Sequence, residues 1–343
     1  MRTVNLGGKP VGEGAPVYIV AEIGNNFVDF AGAARLIDLA VAAGVDAVKL
    51  QTFEAETIAS RSALFDMPNT GVISQYDLFK KYEVDLPLHR EIWAYGREKG
   101  IFLFSTPSHM RDVELLEKLD CGAYKIGSDD AVNLPFLEEV AALGKPMVVS
   151  TGMCTLQEVR EAVAVILGRG NPDLVLLHCV SQYPSEPAGV NLACVPAMAR
   201  EFGLPVGYSD HTLGPLCCVA AAALGARLLE KHFTHDKGAE GPDHMLSADP
   251  AEMTALVQGV RTVEAALGDG VKRPAAQESS TRRHNRKGLV TVAAIPQGTV
   301  ITGEMVAIKR PGLGILPKYL PQVVGRVARR DLAAEEPVTW DAV

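Results

Sequence analysis

The chain has 343 residues, 48% hydrophobic and 22% charged, which suits a globular protein with a domain of about 250 residues plus a smaller one. Its net charge of −8 argues against nucleic acid as a partner but not against a phosphorylated metabolite, which needs only local positive charge. No run of about 18 apolar residues is present to span a membrane, and "MRTVNLGGKPVGEG" lacks the apolar stretch of a signal peptide, so the expected compartment is the cytoplasm. The six cysteines (Cys121, Cys154, Cys179, Cys194, Cys217, Cys218) are scattered without C-x-x-C spacing and read as reduced, buried small hydrophobes.

From the N-terminus, apolar β-branched runs with a polar terminus recur: "VYIVAEIG" (17–24), "AVKLQT" (47–52), "IFLFST" (101–106) and "AYKIGS" (123–128). Four more follow, "PMVVST" (146–151), "LVLLHCV" (174–180), "LPVGYSD" (204–210) and "RLLEKHF" (227–233). Segments of helical periodicity such as "AGAARLIDLAVAAG" and "LQEVREAVAVILG" separate most of them, several ending at glycine. Buried strands alternating with helices mean a parallel sheet, and eight units predict an α/β fold, a (β/α)8 TIM barrel. No G-x-G-x-x-G follows the first strand to suggest a dinucleotide site. About 50 residues separate the second and third strands, so 54–85 is expected as a long loop with short helices over the barrel mouth. The barrel is expected over 1–270 and a Pro-, Ser- and Arg-bearing linker over 271–286, with its basic "TRRHNRKG" run solvated. A small β-rich module should occupy 287–343.

The carboxyl end of every predicted strand carries polar groups: Glu22, Lys49 with Gln51, Thr106, Lys125 with Ser128, Thr151, Ser181, Ser209 with His211, and Glu230 with His232. In a barrel these ends share one mouth, where such folds perform chemistry. His211 and His232 end neighbouring staves, which suits a divalent transition metal, with Glu230 on the same side of the pleat as His232 as an outer ligand or a base. Lys49 and Lys125 fit a phosphate clamp to which Thr106, Ser128 and Ser209 add hydroxyls. They fit a Schiff-base aldolase as well, and the plainer alternative pairs each with a carboxylate such as Glu22 or Asp46.

The ordered strings "AEIGNN", "AVKLQTF", "FSTPS", "YKIGS", "STGM", "LLHCVSQYP", "PVGYSDHT", "LEKHFT", "GPDHMLS" and "KRPGLGI" resemble those of bacterial sialic acid synthases, over nearly the whole chain. Legionaminic and pseudaminic acid synthases are close relatives in that family, and the C-terminal module resembles its antifreeze-like SAF domain. The resemblance implies condensation of phosphoenolpyruvate (PEP) with an N-acylated amino sugar, N-acetylmannosamine or a 2,4-diacetamido hexose, giving a nine-carbon 2-keto acid and phosphate. It implies manganese, or magnesium or cobalt, on His211 and His232, and PEP against Lys49, Thr106, Lys125, Ser128, Ser181 and Ser209. Gln51, Tyr183, Asp243 and Arg310 would hold the sugar, Arg310 arriving from the other subunit of a domain-swapped homodimer. Glu22 and Glu230, with Asp130 a weaker candidate, are expected to move protons or position water.

Two places depart from the family's pattern. After the first strand, an Asn-His-x-Gly pattern is replaced by Asn26, Phe27, Val28 and Asp29, and after "KIGS" a Gly is replaced by Asp129. Both are expected at the mouth, bearing on which sugar is accepted. They also admit a non-catalytic carbohydrate-binding barrel as a reading.

Overall fold

A computed structural model describes residues 2–67 and 71–343. The chain forms two compact units, Met1–Gly268 and Asp269–Val343. In the first, each predicted apolar run supplies one strand of a closed parallel barrel. The strands are β1 (Tyr18–Glu22), β2 (Ala47–Thr52), β3 (Phe102–Pro107), β4 (Tyr124–Ile126), β5 (Met147–Ser150), β6 (Leu174–Cys179), β7 (Val206–Asp210) and β8 (Leu228–His232). They pair in chain order, and β8 returns to β1. Most strand residues are buried on both faces, which is why the runs read as continuous rather than alternating.

An α-helix follows each strand before the next: Phe30–Ala43, Leu86–Glu98, Met110–Glu117, Leu134–Ala141, Leu156–Gly168, Cys194–Phe202, Leu216–Ala223 and, last, Pro250–Leu267. Their ends follow local chemistry. Thr155 with Glu158 and Asp249 with Glu252 form capping boxes, and the helix Phe30–Ala43 stops at Gly44 in the left-handed region.

Asp29, one of the departures from the family pattern, caps that helix by accepting from the Gly32 N–H at 2.8 Å. Phe27 is buried in the main hydrophobic core. Asp29 thus caps a helix and Phe27 packs in the core, while Asp129 lies exposed in the loop after β4.

The N-terminal residues form a hairpin the sequence pattern does not show, Val4–Leu6 against Lys9–Val11. Its two-residue turn uses Gly7 and Gly8, both at positive φ, and Gly7 lies against Phe102 at the start of β3. The long segment after β2 holds the expected short helices, Ala55–Ile58 and Gln75–Tyr82, and an additional hairpin, Leu64–Met67 with Gly71–Ser74. Residues 68–70 of that segment lie outside the described residues.

The second unit has its own core around Leu289, Ile295, Ile301, Ile315 and Val338, built on the antiparallel strands Gly288–Thr291 and Val306–Lys309. The stretch expected as a linker, 271–286, contains the helix Ser279–Asn285. All six cysteines are free thiols, and among the described residues no helix is long and apolar enough to cross a membrane.

Barrel closure leaves no space at Gly207 in β7, where a Cβ would lie 2.2 Å from the Leu228 carbonyl oxygen and 2.7 Å from Leu177 Cδ2. Backbone cannot yield as a flexible side chain does, so Gly207→Ala should lose about 3 kcal/mol, the upper part of the usual overpacking range. Denaturant titration checks this; an unchanged midpoint would contradict the strand spacing described.

Candidate active site

Four buried charged groups from four strands form the floor of the mouth. Lys49 of β2 pairs with Glu22 of β1, and its Nζ also donates to Thr106 Oγ1 of β3 at 2.8 Å. Lys125 of β4 donates to Ser150 Oγ at 2.6 Å and to the Ile126 carbonyl at 2.8 Å. Its Nζ stands 3.8 Å from Glu230 of β8, whose Oε1 accepts from Ser209 Oγ of β7 at 2.9 Å. The partner of Lys49 is therefore Glu22 and not Asp46, which instead meets Lys9 and Arg261.

Burial and pairing act in opposite directions on these groups. Burial raises the Glu22 carboxyl, with Lys49 opposing and Glu230 adding to the rise. Burial alone would raise Glu230 as well, but Lys125 and Lys49 bring it below the usual carboxylate range. Lys49 is lowered by burial yet raised overall by Glu22 and Glu230, whereas burial dominates at Lys125 and lowers it.

Two glycines that strand patterning does not single out make room for this arrangement. A Cβ at Gly24 would fall 2.4 Å from Glu22 Oε1 and 2.6 Å from Gln51 Cγ, and the Gly24 N–H donates to that same Glu22 oxygen at 2.7 Å. At Gly152 a Cβ would fall 2.3 Å from Ser181 Oγ and 2.8 Å from Ser128 Oγ. The Gly152 N–H donates to Ser128 Oγ at 3.0 Å, so two predicted hydroxyls converge on one bare backbone position. Both glycines sit inside the "AEIGNN" and "STGM" strings, which was the available signal.

The imidazole pair lies beside this cluster. The rings of His211 and His232 have centroids 5.3 Å apart, and the Tyr183 ring is 4.2 Å from that of His211. His211 Nδ1–H donates to the Val180 carbonyl at 2.8 Å, so in the neutral ring the lone pair lies on Nε2; burial lowers this imidazole, but Cys179 raises it overall. His232 Nδ1 is buried without a hydrogen-bond partner among the described residues, and Asp243 Oδ2 is 3.6 Å from it. Burial, then the proximity of His211 and Lys49, holds His232 well below its ordinary value and hence neutral, the form that binds metals.

These features fit a divalent ion held by two imidazoles. Among the described residues no group of three or more His, Cys, Asp or Glu side chains is arranged to hold a metal. A two-imidazole site leaves most of a coordination shell open, suited to substrate and water.

Asn25, another residue the strand pattern does not expose, joins the two predicted sugar contacts. Its Nδ2 lies 3.2 Å from Gln51 Oε1 and 3.4 Å from Asp243 Oδ2. Burial raises the Asp243 carboxyl to about 6 against the Asn25 bond. Two predicted residues remain. Asp130 accepts from Asn133 at 2.9 Å and, among the described residues, makes no bond to the lysine–carboxylate cluster. Arg310 belongs to the second unit, exposed just after the strand Val306–Lys309.

The fold and this site define a TIM-barrel protein with a polar, charge-paired pocket at its strand ends, followed by a small β-rich unit. Residues 36–272 match the NeuB family and residues 286–343 match the SAF domain. The chain belongs to the NeuB family. It is 38% identical to the N,N'-diacetyllegionaminic acid synthase of Legionella pneumophila, covering 100% of this chain and 98% of that relative. It is also 36% identical to the N-acetylneuraminate-9-phosphate synthase of Homo sapiens, over 88% of this chain and 85% of that relative. Among solved structures, the N-acetylneuraminic acid synthetase of Leptospira borgpetersenii is similar with a TM-score of 0.74 and 30% identity, covering 82% of this chain and 95% of that one.

Removing one member of a buried pair strands the other's charge. Lys49→Met should therefore cost about 3–5 kcal/mol, and adding Glu22→Gln should recover most of it. Chemical denaturation of both variants checks this; equal loss in the two would show that the pair is not coupled.

Proposed function

We propose that this protein condenses PEP with the open-chain aldehyde of an N-acylated amino sugar to give a nine-carbon 2-keto acid and phosphate. The acceptors in view are N-acetylmannosamine and related 2,4-diacetamido hexoses. The observation that carries the reading is the buried lysine–carboxylate cluster at the strand ends beside an imidazole pair, with His232 Nδ1 unpartnered among the described residues. Membership of the NeuB family supports the reaction class.

Lys49 and Lys125 would hold the phosphate and carboxylate of PEP, aided by Thr106, Ser128, Ser181 and Ser209. Both ammonium groups already have hydroxyl and carboxylate partners, so their positions need little reorganisation when the anion arrives. Gln51, Tyr183 and Asp243 would orient the sugar, and Arg310 of the SAF unit would reach it from the second subunit of a swapped homodimer. His211 and His232 would hold a divalent ion, manganese first and magnesium or cobalt as alternatives, which when bound supplies Lewis acidity at the aldehyde oxygen.

Attack by the PEP methylene carbon on the aldehyde carbon leaves positive character on PEP C2. Water adds there, and Glu22 or Glu230 takes its proton, which is returned to the new alkoxide. The bond between C2 and the bridging oxygen then breaks, phosphate departs with that oxygen, and the hydroxyl added from water passes its proton to the departing phosphate as it becomes the ketone. Burial raises the proton affinity of Glu22, which makes it the better acceptor of that proton, while Lys125 and Lys49 hold Glu230 below the usual carboxylate range.

A second reading rests on Lys125, whose buried ammonium is held below the usual lysine range, as a Schiff-base aldolase requires. Phosphate release from PEP, assayed across N-acetylmannosamine, its 6-phosphate and 2,4-diacetamido trideoxyhexoses, separates the two. The condensation reading predicts release with one of these acceptors, its loss on chelation and its return with manganese. It also predicts no borohydride-trapped pyruvate adduct. Full release from a verified metal-free sample would remove the metal from the account, and a trapped adduct without phosphate release would favour the aldolase.

A further inference from the structure

Between the barrel wall and the helix Leu216–Ala223 lies a buried ion pair that the mechanism above does not use. Asp210 and Lys231 are register partners on β7 and β8, one step along from Ser209 and Glu230, so the pleat turns them away from the pocket. Both are about 1% exposed. Lys231 Nζ donates to Asp210 Oδ2 at 2.8 Å and to the Thr212 carbonyl at 2.5 Å. Asp210 Oδ1 accepts from the Thr212 N–H and from the Tyr208 hydroxyl, each at 2.8 Å, and Cys218 Sγ lies 3.3 Å from Oδ2. Thr212 is thus gripped at both its N–H and its carbonyl, directly after His211, whose own carbonyl accepts from the Ser185 N–H at 2.9 Å.

A buried ion pair is poorly explained by stability, because a well-packed apolar pair of similar volume is often as stable or more so. What an apolar pair could not do is hold the peptide units on either side of Thr212. We infer that Asp210 and Lys231 are positioning residues that fix the backbone at His211, and through it the direction of the His211 imidazole toward the metal. This rests on the proposed ion at His211 and His232. Groups of this kind behind a metal ligand typically tune affinity 10- to 100-fold.

The test replaces the pair in the full chain with Asp210→Leu/Lys231→Met and titrates Mn2+ alone and PEP alone by calorimetry. Amide exchange at Thr212 is followed in parallel. The expected result is Mn2+ affinity weakened about 10- to 100-fold, PEP affinity within about twofold, and faster exchange at Thr212. Mn2+ affinity within about twofold of the unaltered protein would overturn the inference, as would equal losses for Mn2+ and PEP, which would mean a general collapse of the mouth. If the unaltered protein binds no Mn2+, the proposed metal site fails. Exchange at Thr212 then still decides whether the pair holds this backbone: faster exchange supports it and unchanged exchange overturns it. Should the apolar double variant fail to fold, Asp210→Val/Lys231→Leu removes the same hydrogen bonds with different packing and is read the same way.

Discussion

The site depends on burying charges of opposite sign together inside a low-dielectric barrel. Two ammonium groups and two carboxylates are buried within a few residues of the strand ends, and each is tolerable only because the others are there. A parallel barrel makes this possible because neighbouring staves present inward side chains at matching heights, as Ser209 and Glu230 do. The same constraint explains the hydroxyls: Thr106 and Ser150 each accept from an ammonium, and Ser209 donates to the Glu230 oxygen that faces Lys125. A site so arranged is preorganised, and the arriving anion meets groups already aimed.

Much of this was legible because each strand is a short apolar run with an abrupt polar end, and counting those ends reveals both the barrel and its mouth. The limits of that reading are equally physical. Gly24 and Gly152 matter through space that side chains from other strands occupy, and Asn25 matters through a bond to Asp243, 218 residues away. No local pattern displays such contacts. Phe27 and Asp29 show another limit: their place after a strand does not reveal that one ring packs into the core beside the first helix and that the acid caps that helix. Asp210 and Lys231 were readable in principle, since residues flanking inward positions must point outward, yet two charges facing a helix contradict the usual apolar expectation there.

The imidazole pair and the charged floor divide the work by their surroundings. His232 is kept neutral by burial and cationic neighbours, which suits a ligand; Lys49 is kept charged by two carboxylates, which suits an anion clamp. Asp129, exposed in the loop after the Lys125 strand, is the third of the departures read in the sequence.

The central claim is that water attacks C2 of PEP after carbon–carbon bond formation, so that the carbon–oxygen bond breaks and the phosphorus–oxygen bond survives. PEP labelled with 18O at the bridging oxygen tests it most directly by mass spectrometry of the products. The account predicts the label in inorganic phosphate and an unlabelled ketone in the sugar acid; label retained at C2 of the product would contradict it.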